Sequence, residues 1–397
     1  MKTKLSDKWE KVNLITYLEF VKSGVKPFEG TKKYVDTGSL KTGEIINSVE
    51  VDYETKPSRA NMISQEGDVL FAKMKDTEKV YLISNSDKNY IFSTGFTILR
   101  IKNKSKVLPR YIYFWLRSNE FQDEKNRECT GATQKAINEN KLRLFTIILP
   151  PIDIQQKIVS ILEKIDRVNK LRKESDVLTE DFSKVVFFKM FGDPANNEKK
   201  WEVKKIRDIS VKVQIGPFGT QLHQEDYVDN GIPLINPKHI RNGKIIISAN
   251  QTITREKFLT LSNYHLKQND VIIGRRGEMG NCALVTENET NWLCGTGSLF
   301  IRPNDIVDAT YLVNVLSSKG FKKKLENEAK GITMLNLNQT IINNLEIPIP
   351  PIQMQKKYVL LINEIEKIKK YQKSSKEFIE NMFKFFMQNA FNGELMS

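Results

Sequence analysis

The sequence predicts an α+β protein in which two mixed α/β globular units are separated by two long α-helices that pair as an antiparallel coiled coil. Three observations predict this fold class: an internal repeat, two long segments without Gly or Pro, and short β-branched runs broken by Gly, Asn and Asp. With 397 residues, of which 40% are hydrophobic and 28% charged, the composition is close to that of globular proteins. The chain is long enough for two or three domains with sizeable cores.

The internal repeat is clearest around two double prolines. The segment LFTIILPPIDIQQKIVSILEKIDRV, which begins at Leu144, aligns without gaps on NLEIPIPPIQMQKKYVLLINEIEKI, which begins at Asn344. The same offset of 200 residues pairs Gly131 with Gly331, and Thr133 with Thr333. It becomes 202 near residue 95, where STGFTILRI meets GTGSLFIRP. Two diverged copies of one unit therefore make up the chain.

Each copy changes character at its double proline. Before it, runs such as GKIIISA, NDVIIG and GSLFIRP predict strands and turns. After it, a long segment lacks Gly and Pro, and a proline pair is tolerated at a helix start. These patterns predict globular units at 1–150 and 192–350, and helices at 151–191 and 351–397.

Both long helices carry an apolar stripe. A stripe of this kind either packs against the helix's own globular unit or pairs with a second helix. We expect antiparallel pairing, with the globular units at opposite ends, because each helix far exceeds the average of about 12 residues and the stripe occurs twice. At 1.5 Å per residue each helix would be about 55 to 60 Å long, so the spacer between the globular units would measure several tens of Å. The stripe residues are Ile158, Ile161, Ile165 and Val168, and Tyr358, Leu361, Ile365 and Ile368.

The charge balance indicates a polyanionic partner. The formal net charge is +14 and the pI about 9.3, which favours nucleic acid or an acidic membrane surface. Three cysteines without a Cys-x-x-Cys pair make a disulfide framework improbable and predict a reducing cytoplasm. A charged N-terminal segment and the lack of about 18 consecutive apolar residues predict neither export nor a membrane span.

Motifs for catalysis are missing, so no catalytic or metal-binding residue is predicted. GPFGTQ and GRRGEMG lack the Lys-Ser/Thr ending of a phosphate loop, and no Asn/Asp-Pro-Pro-aromatic tetrapeptide of an adenine methyltransferase occurs. The histidines and cysteines do not have the spacing of zinc ligands. Glu54-Thr55-Lys56 matches the short half of a magnesium-dependent nuclease motif, but no Pro-Asp precedes it.

The loops of the globular units instead favour DNA reading. GRRGEMG places two arginines in a turn after a strand, and FAKMK occupies the equivalent turn of the first unit. Ordinary solvated turns are the alternative for any one of these loops. The candidate DNA-binding residues are Lys73, Lys75, Thr94, Gln134 and Lys135 in the first unit, and Gln221, His223, Lys238, His239, Arg241, Arg275, Arg276 and Thr296 in the second.

The motifs together resemble the specificity subunit of bacterial type I restriction-modification enzymes. They are the KWE openings, GPFGTQLHQEDY, NDVIIGRRGEMGNCALV, TGATQKAINENKL, MFGDPANNEKKW, and LPPIDIQQKI with its partner IPPIQMQKKY. The resemblance covers nearly the whole chain. Its most specific part is the Pro-Pro-Ile-x-x-Gln start of both helices, and its weakest part is the first unit, which matches only as FAKMK and STGF.

The resemblance implies a non-catalytic subunit with two target recognition domains, each of which reads one half of an asymmetric, interrupted DNA sequence. The helices would form a spacer and hold two modification subunits, and restriction subunits would join the complex. It implies no cofactor on this chain, since S-adenosylmethionine, ATP and magnesium would bind the partner subunits. The implied partner-binding residues begin the two helices: Pro150, Pro151, Gln155, Pro350, Pro351 and Gln355.

Two other function classes remain open to test. One is a self-contained DNA methyltransferase or nuclease, which would be active as a purified chain. The other is a structural coiled-coil protein that does not bind DNA. The second class explains the helices but not the two basic, loop-rich globular units.

Overall fold

The computed structural model describes residues 9–132, 134–241, 243–247, 251–276, 280–328 and 337–392. The repeat partners Thr133, Gly331 and Thr333 lie outside the described residues. The chain divides into two compact units. Unit 1 comprises Met1–Glu174 and Gln372–Ser397, and unit 2 comprises Ser175–Tyr371.

Unit 1 consists mainly of short strands, and it contains the start of the first long helix. The strands are β1 (Glu10–Asn13), β2 (Leu18–Phe20), β3 (Lys32–Val35), β4 (Leu40–Lys41), β5 (Glu44–Ile45), β6 (Val49–Val51), β7 (Ala60–Met62), β8 (Val69–Ala72), β9 (Val80–Leu82), β10 (Tyr90–Ser93), β11 (Phe96–Ile101) and β12 (Thr146–Leu149). The helices are α1 (Leu14–Tyr17), α2 (Pro109–Trp115), α3 (Asn119–Glu128), α4 (Glu139–Leu142) and α5 (Ile152–Phe191).

Unit 2 contains a similar set of strands and helices. Its strands are β13 (Glu202–Lys205), β14 (Ser210–Ile215), β15 (Tyr227–Val228), β16 (Ile232–Ile235), β17 (Ile240–Arg241), β18 (Lys244–Ile245), β19 (Thr252–Ile253), β20 (Val271–Gly274), β21 (Cys282–Leu284), β22 (Leu293–Cys294), β23 (Ser298–Pro303) and β24 (Glu346–Ile349). Its helices are α6 (Arg255–Thr260), α7 (Ala309–Ser317), α8 (Lys319–Glu328), α9 (Gln339–Asn344) and α10 (Ile352–Phe391).

The sheets of the two units correspond. Each unit has an antiparallel four-stranded sheet, in the order β2-β11-β8-β9 in unit 1 and β14-β23-β20-β21 in unit 2. Each also has a mixed four-stranded sheet, β6-β3-β10-β7 or β15-β19-β16-β22, with one parallel pair, β3 with β10 or β16 with β22. The antiparallel sheet is therefore repeated strand for strand, whereas the mixed sheets share three strands and differ in the fourth, β7 beside β10 in unit 1 and β15 beside β19 in unit 2.

A two-stranded sheet closes each globular part. The strand that follows the KWE opening pairs with the strand that precedes the double proline, so that Glu10 faces Leu149 in unit 1 and Glu202 faces Ile349 in unit 2. This antiparallel pairing brings the two ends of each globular part to the start of a long helix. The helix is thereby anchored where the proline pair ends the last strand.

The long helices supply side chains to the cores of both units. In unit 1, Ile158 and Leu162 near the start of α5 share a core with Met387 and Phe391 at the end of α10. In unit 2, Phe187 and Phe191 at the end of α5 pack on Tyr358 near the start of α10, with ring centroids 5.5 and 5.3 Å apart. Within each unit, the beginning of one helix therefore lies beside the end of the other.

Burial along the helices differs in part from the predicted stripe. Ile158, Ile165 and Ile365 are buried as expected. Val168, Leu361 and Ile368 are 45, 42 and 50% exposed, so these three positions of the stripe do not face a core. The α+β class, the repeated globular units and the two long helices are confirmed, whereas coiled-coil pairing of the helices remains a prediction.

Over the part of the chain that the structure describes, we find no helix with the length and apolar character needed to cross a membrane.

Candidate nucleic-acid interface

The basic turn after β8 is the centre of the candidate site in unit 1. The N–H of Lys73 donates to the carbonyl of Gly95 at 3.0 Å, and the N–H of Ile137 donates to the carbonyl of Lys73 at 3.1 Å. The N–H of Lys75 donates to the carbonyl of Lys135 at 2.9 Å. These bonds join three loops that are distant in sequence, namely 73–77, 93–95 and 130–137. All five candidate residues of the first unit lie on these loops.

The loop 130–137 depends on a glycine. Thr130 and Ala136 exchange two backbone hydrogen bonds of 3.0 Å and so close the loop. Gly131 has a φ of 134°, and a Cβ at this position would lie 2.5 Å from the carbonyl oxygen of Gln134. Any side chain would therefore open the loop. Gln134 and Lys135 are consequently presented as exposed side chains beside the basic turn.

The exposure of the unit 1 candidates varies. Lys75 is exposed, as are the two residues on the glycine loop, whereas Lys73 and Thr94 are half-buried. Burial lowers the pKa of Lys73, and the nearby Glu139 carboxylate opposes this shift. A partly desolvated ammonium group gains more from a phosphate than a fully hydrated one does, because local screening is weaker.

Sequence reasoning missed Arg59 in unit 1. The N–H of Thr94 donates to the carbonyl of Arg59 at 2.9 Å, and the Arg59 side chain is exposed. This backbone contact places residue 59 beside the turn 93–95. The only local signal is a basic residue in the loop KPSR, and nothing in the sequence links that loop to the turn.

Unit 2 contains the same backbone arrangement at its own basic turn. The N–H of Arg275 donates to the carbonyl of Gly297 at 3.0 Å, and the N–H of Leu337 donates to the carbonyl of Arg275 at 3.2 Å. Thr296 lies half-buried in the neighbouring turn 295–297. The same backbone hydrogen bonds thus connect a strand end to two loops in both units, although the two sequences have diverged.

The two arginines of the unit 2 turn have different environments. Arg276 is exposed, but Arg275 is only 6% exposed and its Nε donates to the carbonyl oxygen of Leu337 at 2.7 Å. Burial, and then the neighbouring Arg276, lower the pKa of Arg275. The prediction that both arginines reach DNA therefore needs correction: Arg276 is available, whereas Arg275 holds the turn to the loop that contains Leu337.

The Gly-rich loop of unit 2 crosses another loop at very close range. A Cβ on Gly216 would lie 1.9 Å from the carbonyl oxygen of Gly295. The N–H of Gly216 donates to Ser298 and that of Gly295 to Ile235, both at 3.0 Å. The loops GPFG, GTG and INPKH are therefore held together, and glycine at 216 is required by backbone contact and not by flexibility.

The remaining candidates of unit 2 lie on or beside these loops. His223, Lys238 and Arg241 are exposed. Gln221 is exposed too, but its Oε1 accepts a 2.7 Å hydrogen bond from the hydroxyl of Tyr264, which fixes the orientation of the amide. The same Oε1 also accepts from the N–H of Phe218 at 3.3 Å, so the Nε2 amide group is what remains to donate to a base edge or a phosphate.

His239 is buried, contrary to its predicted contact with DNA. It is 4% exposed, and its Nδ1 lies 3.2 Å from the backbone nitrogen of Asn236. Burial, and then the nearby Lys238, lower the pKa of His239. Its position supports the turn 236–239, and Lys238 is the exposed side chain of that turn.

The two glutamines expected to contact a partner are fully buried. Gln155 donates to the carbonyls of Pro150 and Lys106 at 2.9 and 2.8 Å, and its Oε1 accepts from the N–H of Leu108 at 3.0 Å. Gln355 makes the equivalent three bonds to Pro350, Ile306 and Asp308, at 2.8, 3.2 and 2.8 Å. Both glutamines are unavailable to a partner because they join the helix start to a loop of the globular part. Pro350 and Pro150 are buried, Pro151 is half-buried and Pro351 is exposed.

The exposed apolar side chains of the long helices form a second feature, and of the residues named below only Val168 and Ile368 belong to the predicted stripe. In unit 1 they include Val168 and Leu171 on α5, and Phe378 and Phe385 on α10. In unit 2 the repeat-related residues Ile368, Tyr371, Leu178 and Val185 are likewise exposed. We call these the apolar set of unit 1 and the apolar set of unit 2. Their fractional exposure runs from 45 to 76%, which is unusual for large apolar side chains at heptad-like spacing.

Features that would indicate catalysis are sparse. In the described ranges, no group of three or more His, Cys, Asp or Glu residues is arranged to hold a metal ion. Glu54, Thr55 and Lys56 lie in a surface turn, where the Thr55 N–H and hydroxyl both donate to Asp52. The three cysteines are free and buried.

The chain matches a family model described as the type I restriction modification DNA specificity domain, over residues 8–178 and again over 198–381. It is 23% identical over 424 residues to the type I restriction enzyme MjaVIII specificity subunit of Methanocaldococcus jannaschii, which covers 99% of this chain and 94% of that protein.

Two solved structures have a similar fold. One is a chain from work on complex assembly and conformational transition of the type I R-M system, with a TM-score of 0.66 and 20% identity over 99% of this chain and 100% of that chain. The other is the S subunit of a type I restriction-modification system from M. genitalium, with a TM-score of 0.57 and 15% identity over 98% of both chains.

Proposed function

Because the chain belongs to the family of type I restriction-modification DNA specificity subunits, we propose that it reads an asymmetric, two-part DNA target for partner enzymes. One observation carries the proposal: each unit has a basic turn joined to two loops by equivalent backbone hydrogen bonds, Lys73 with Gly95 and Ile137 in unit 1, and Arg275 with Gly297 and Leu337 in unit 2. The framework is repeated, whereas the side chains on it differ. Each unit should therefore read a different half-site.

The globular parts at 1–150 and 192–350 are the proposed target recognition domains. Phosphate contacts from Lys75, Lys135 and Arg59 in unit 1, and from Arg276, Lys238 and Arg241 in unit 2, would position each domain on the duplex. Gln134, Gln221 and His223 are exposed and have donors and acceptors suited to base edges. The helices, at 151–191 and from 351, would be the spacer that sets the distance between half-sites.

The apolar sets are the proposed docking places for two modification subunits. The set of unit 1 and the set of unit 2 are related by the repeat, so an identical partner would find the same four positions twice. Apolar side chains at heptad-like spacing suit a helical partner. A restriction subunit would join through the assembled complex.

The chemistry would take place on the partner chains. Modification subunits would bind S-adenosylmethionine and methylate adenine, and restriction subunits would use ATP and magnesium. This chain would have no catalytic role and no cofactor. Its DNA target would place it in the cytoplasm.

Genome-wide mapping of methylated adenines, in cells with and without this gene, tests the proposal. We expect methylation at a motif with two unlike halves and a fixed gap, and its disappearance when the gene is deleted. Methylation that is unchanged by the deletion would contradict the proposal. Methyltransferase or nuclease activity of the purified chain alone, with S-adenosylmethionine or magnesium, would favour a self-contained enzyme.

A further inference from the structure

Helix α3 and its C-cap residue Cys129 place three side chains on the basic turn of unit 1. The Nζ of Lys125 donates to the carbonyl of Thr77 at 2.8 Å, and the Oδ1 of Asn126 accepts from the N–H of Asp76 at 3.0 Å. The Sγ of Cys129 lies 3.7 Å from the carbonyl oxygen of Lys73. Contacts from α3 and its C-cap residue therefore hold the turn 73–77 at Lys73, Asp76 and Thr77.

Lys125 is an unusual residue for this position because it is 0% exposed. Burial lowers its pKa, while Cys129, Glu78 and Asp76 act in the opposite direction. Placing an ammonium group out of water is unfavourable unless hydrogen bonds compensate. If the position served only to fill the core, an apolar side chain would do so without this cost.

The repeat supplies that comparison. Position 325 in unit 2 is Leu, which is also 0% exposed. Leu325 packs against Gly280, where an added Cβ would lie 3.1 Å from Leu325 Cδ1. One turn earlier on α8, the Nζ of Lys322 donates to the Oδ1 of Asn281 at 2.8 Å. In unit 2 the equivalent helix therefore contacts residues 280 and 281, and it does so with different side chains.

The turn of unit 1 needs such support. Asp76 has a φ of 55°, a left-handed conformation that disfavours side-chain-bearing residues. The adjacent Lys75 contributes its own N–H to Lys135, so a shift of the turn would also move the glycine loop. A recognition group reads a base edge only when its supporting residues hold it close to the productive geometry.

From these contacts we propose that Lys125 is a positioning residue for half-site recognition by unit 1, and that it acts by fixing the turn that presents Lys73 and Lys75. This inference rests on the proposed function. Lys125 itself would touch no DNA. Its ammonium group anchors the Thr77 carbonyl, so that the turn has one conformation when DNA binds.

The test uses the full chain expressed with its modification subunit, and the methylated adenines of the host genome as readout. Lys125→Met keeps the length of the side chain and removes the charge and the donor. We expect one half of the motif to relax, with about tenfold more methylation at sites that carry a single mismatch in that half, while the other half stays as strict as in the wild type. Lys322→Met is the matched variant in unit 2, and we expect it to relax the opposite half.

A purely structural role would give a different pattern. If Lys125→Met lowers methylation equally at all sites, or leaves both halves strict, the positioning role is refuted. Asn126→Ala is the second variant if Lys125→Met fails to accumulate, because it removes the acceptor of the Asp76 N–H without altering the core. Relaxation of the same half of the motif would support positioning of the turn by α3, and two strict halves would refute it. If the wild-type chain itself directs no two-part methylation, the proposed function fails. A normal wild-type motif with an unchanged Lys125→Met motif overturns only the present inference.

Discussion

The carboxylate of Asp270 is fully buried and accepts two hydrogen bonds of 2.8 Å, one from Nε and one from Nη2 of Arg302. It also accepts the N–H of Lys267 at 2.8 Å. The repeat places the same pair in unit 1, where Asp68 binds Arg100 at 3.0 and 2.8 Å. In each unit this pair fastens the start of one central strand, β8 or β20, to the end of its neighbour, β11 or β23, and the far end of β8 or β20 leads into the basic turn.

Breaking this pair should destabilise unit 2 strongly. Arg302→Met leaves the buried Asp270 carboxylate without its cation, and removal of one partner from a buried pair costs about 3 to 5 kcal/mol. We expect a loss of this size in the free energy of unfolding, measured by urea denaturation. Arg207→Met is the control because Arg207 and Asp208 form a surface pair with both side chains 55% exposed. That change should cost less than about 1 kcal/mol. Equal effects of the two variants would contradict the role given to Asp270.

The buried glutamine at the start of α10 should be needed for folding and not for partner contact. Gln355→Leu leaves the Pro350 carbonyl and the Asp308 N–H without their partner, at an expected cost of about 1 to 3 kcal/mol. The exposed Gln353 is the matched control, and Gln353→Leu should be nearly neutral. Thermal unfolding measures both variants. A Gln355→Leu chain of normal stability that fails to bind the modification subunit would restore the partner-contact interpretation.

The two neighbouring arginines of unit 2 should have separable effects. Arg276→Ala removes an exposed guanidinium group, and we expect DNA affinity to fall by about 1 to 3 kcal/mol with a reduced salt dependence. Arg275→Ala removes the donor to Leu337, so it should lower thermal stability first. Titration of labelled target DNA at several salt concentrations, with unfolding curves for both variants, distinguishes them. Wild-type affinity of Arg276→Ala at moderate salt would assign this side chain to solvent.

The apolar sets should control the number of bound modification subunits. Tyr371→Glu in the set of unit 2 should weaken one docking place about tenfold to a hundredfold, since burying a charge in an apolar interface is unfavourable. Leu171→Glu, its repeat-related change in unit 1, should weaken the other, and the double variant should bind none. Native mass spectrometry counts the subunits. The exposed Lys173 and Lys373, two residues after Leu171 and Tyr371, provide the controls. Lys173→Glu and Lys373→Glu should leave the count at two modification subunits. A count of two for the double variant would exclude these surfaces.

The buried histidine should make unit 2 less stable in acid. Burial holds the pKa of His239 below its ordinary value of 6.5, so the unfolded chain binds a proton that the folded chain does not. Stability therefore rises with pH through this window and falls as the pH drops below about 6.5. We expect His239→Gln to lose less stability than the wild type between pH 7 and pH 5, measured by urea unfolding. Parallel pH curves for the His239→Gln variant and the wild type would refute this account.

The sequence predicted the correct loops but not the correct side chains within them. The sequence does not distinguish Arg275 from Arg276, yet Arg275 is buried against Leu337 and Arg276 is exposed. Gln155 and Gln355 were expected at an interface because the resemblance implied partner contacts at the helix starts, whereas their recurrence in the repeat accompanies three buried hydrogen bonds in each copy. Recurrence marks a shared requirement and cannot distinguish packing from binding.

Lys125 and the apolar sets were missed for a related reason. A lysine on a short polar helix is normally solvated, and only the fold brings the turn 73–77 above it. The exposed apolar residues of α5 and α10 follow the same heptad spacing as the buried ones, so periodicity alone cannot tell which stripe faces the core.

What the sequence determined by itself is the organisation of the chain. The repeat, the Gly- and Pro-free segments and the proline pairs are local or periodic signals, and local signals fix the type, length and order of secondary structure. What only the tertiary structure decided is which side chains remain exposed. Burial depends on contacts between residues far apart in the chain, as between Lys125 and Thr77 or Arg275 and Leu337, and no local pattern encodes the partner in such a contact.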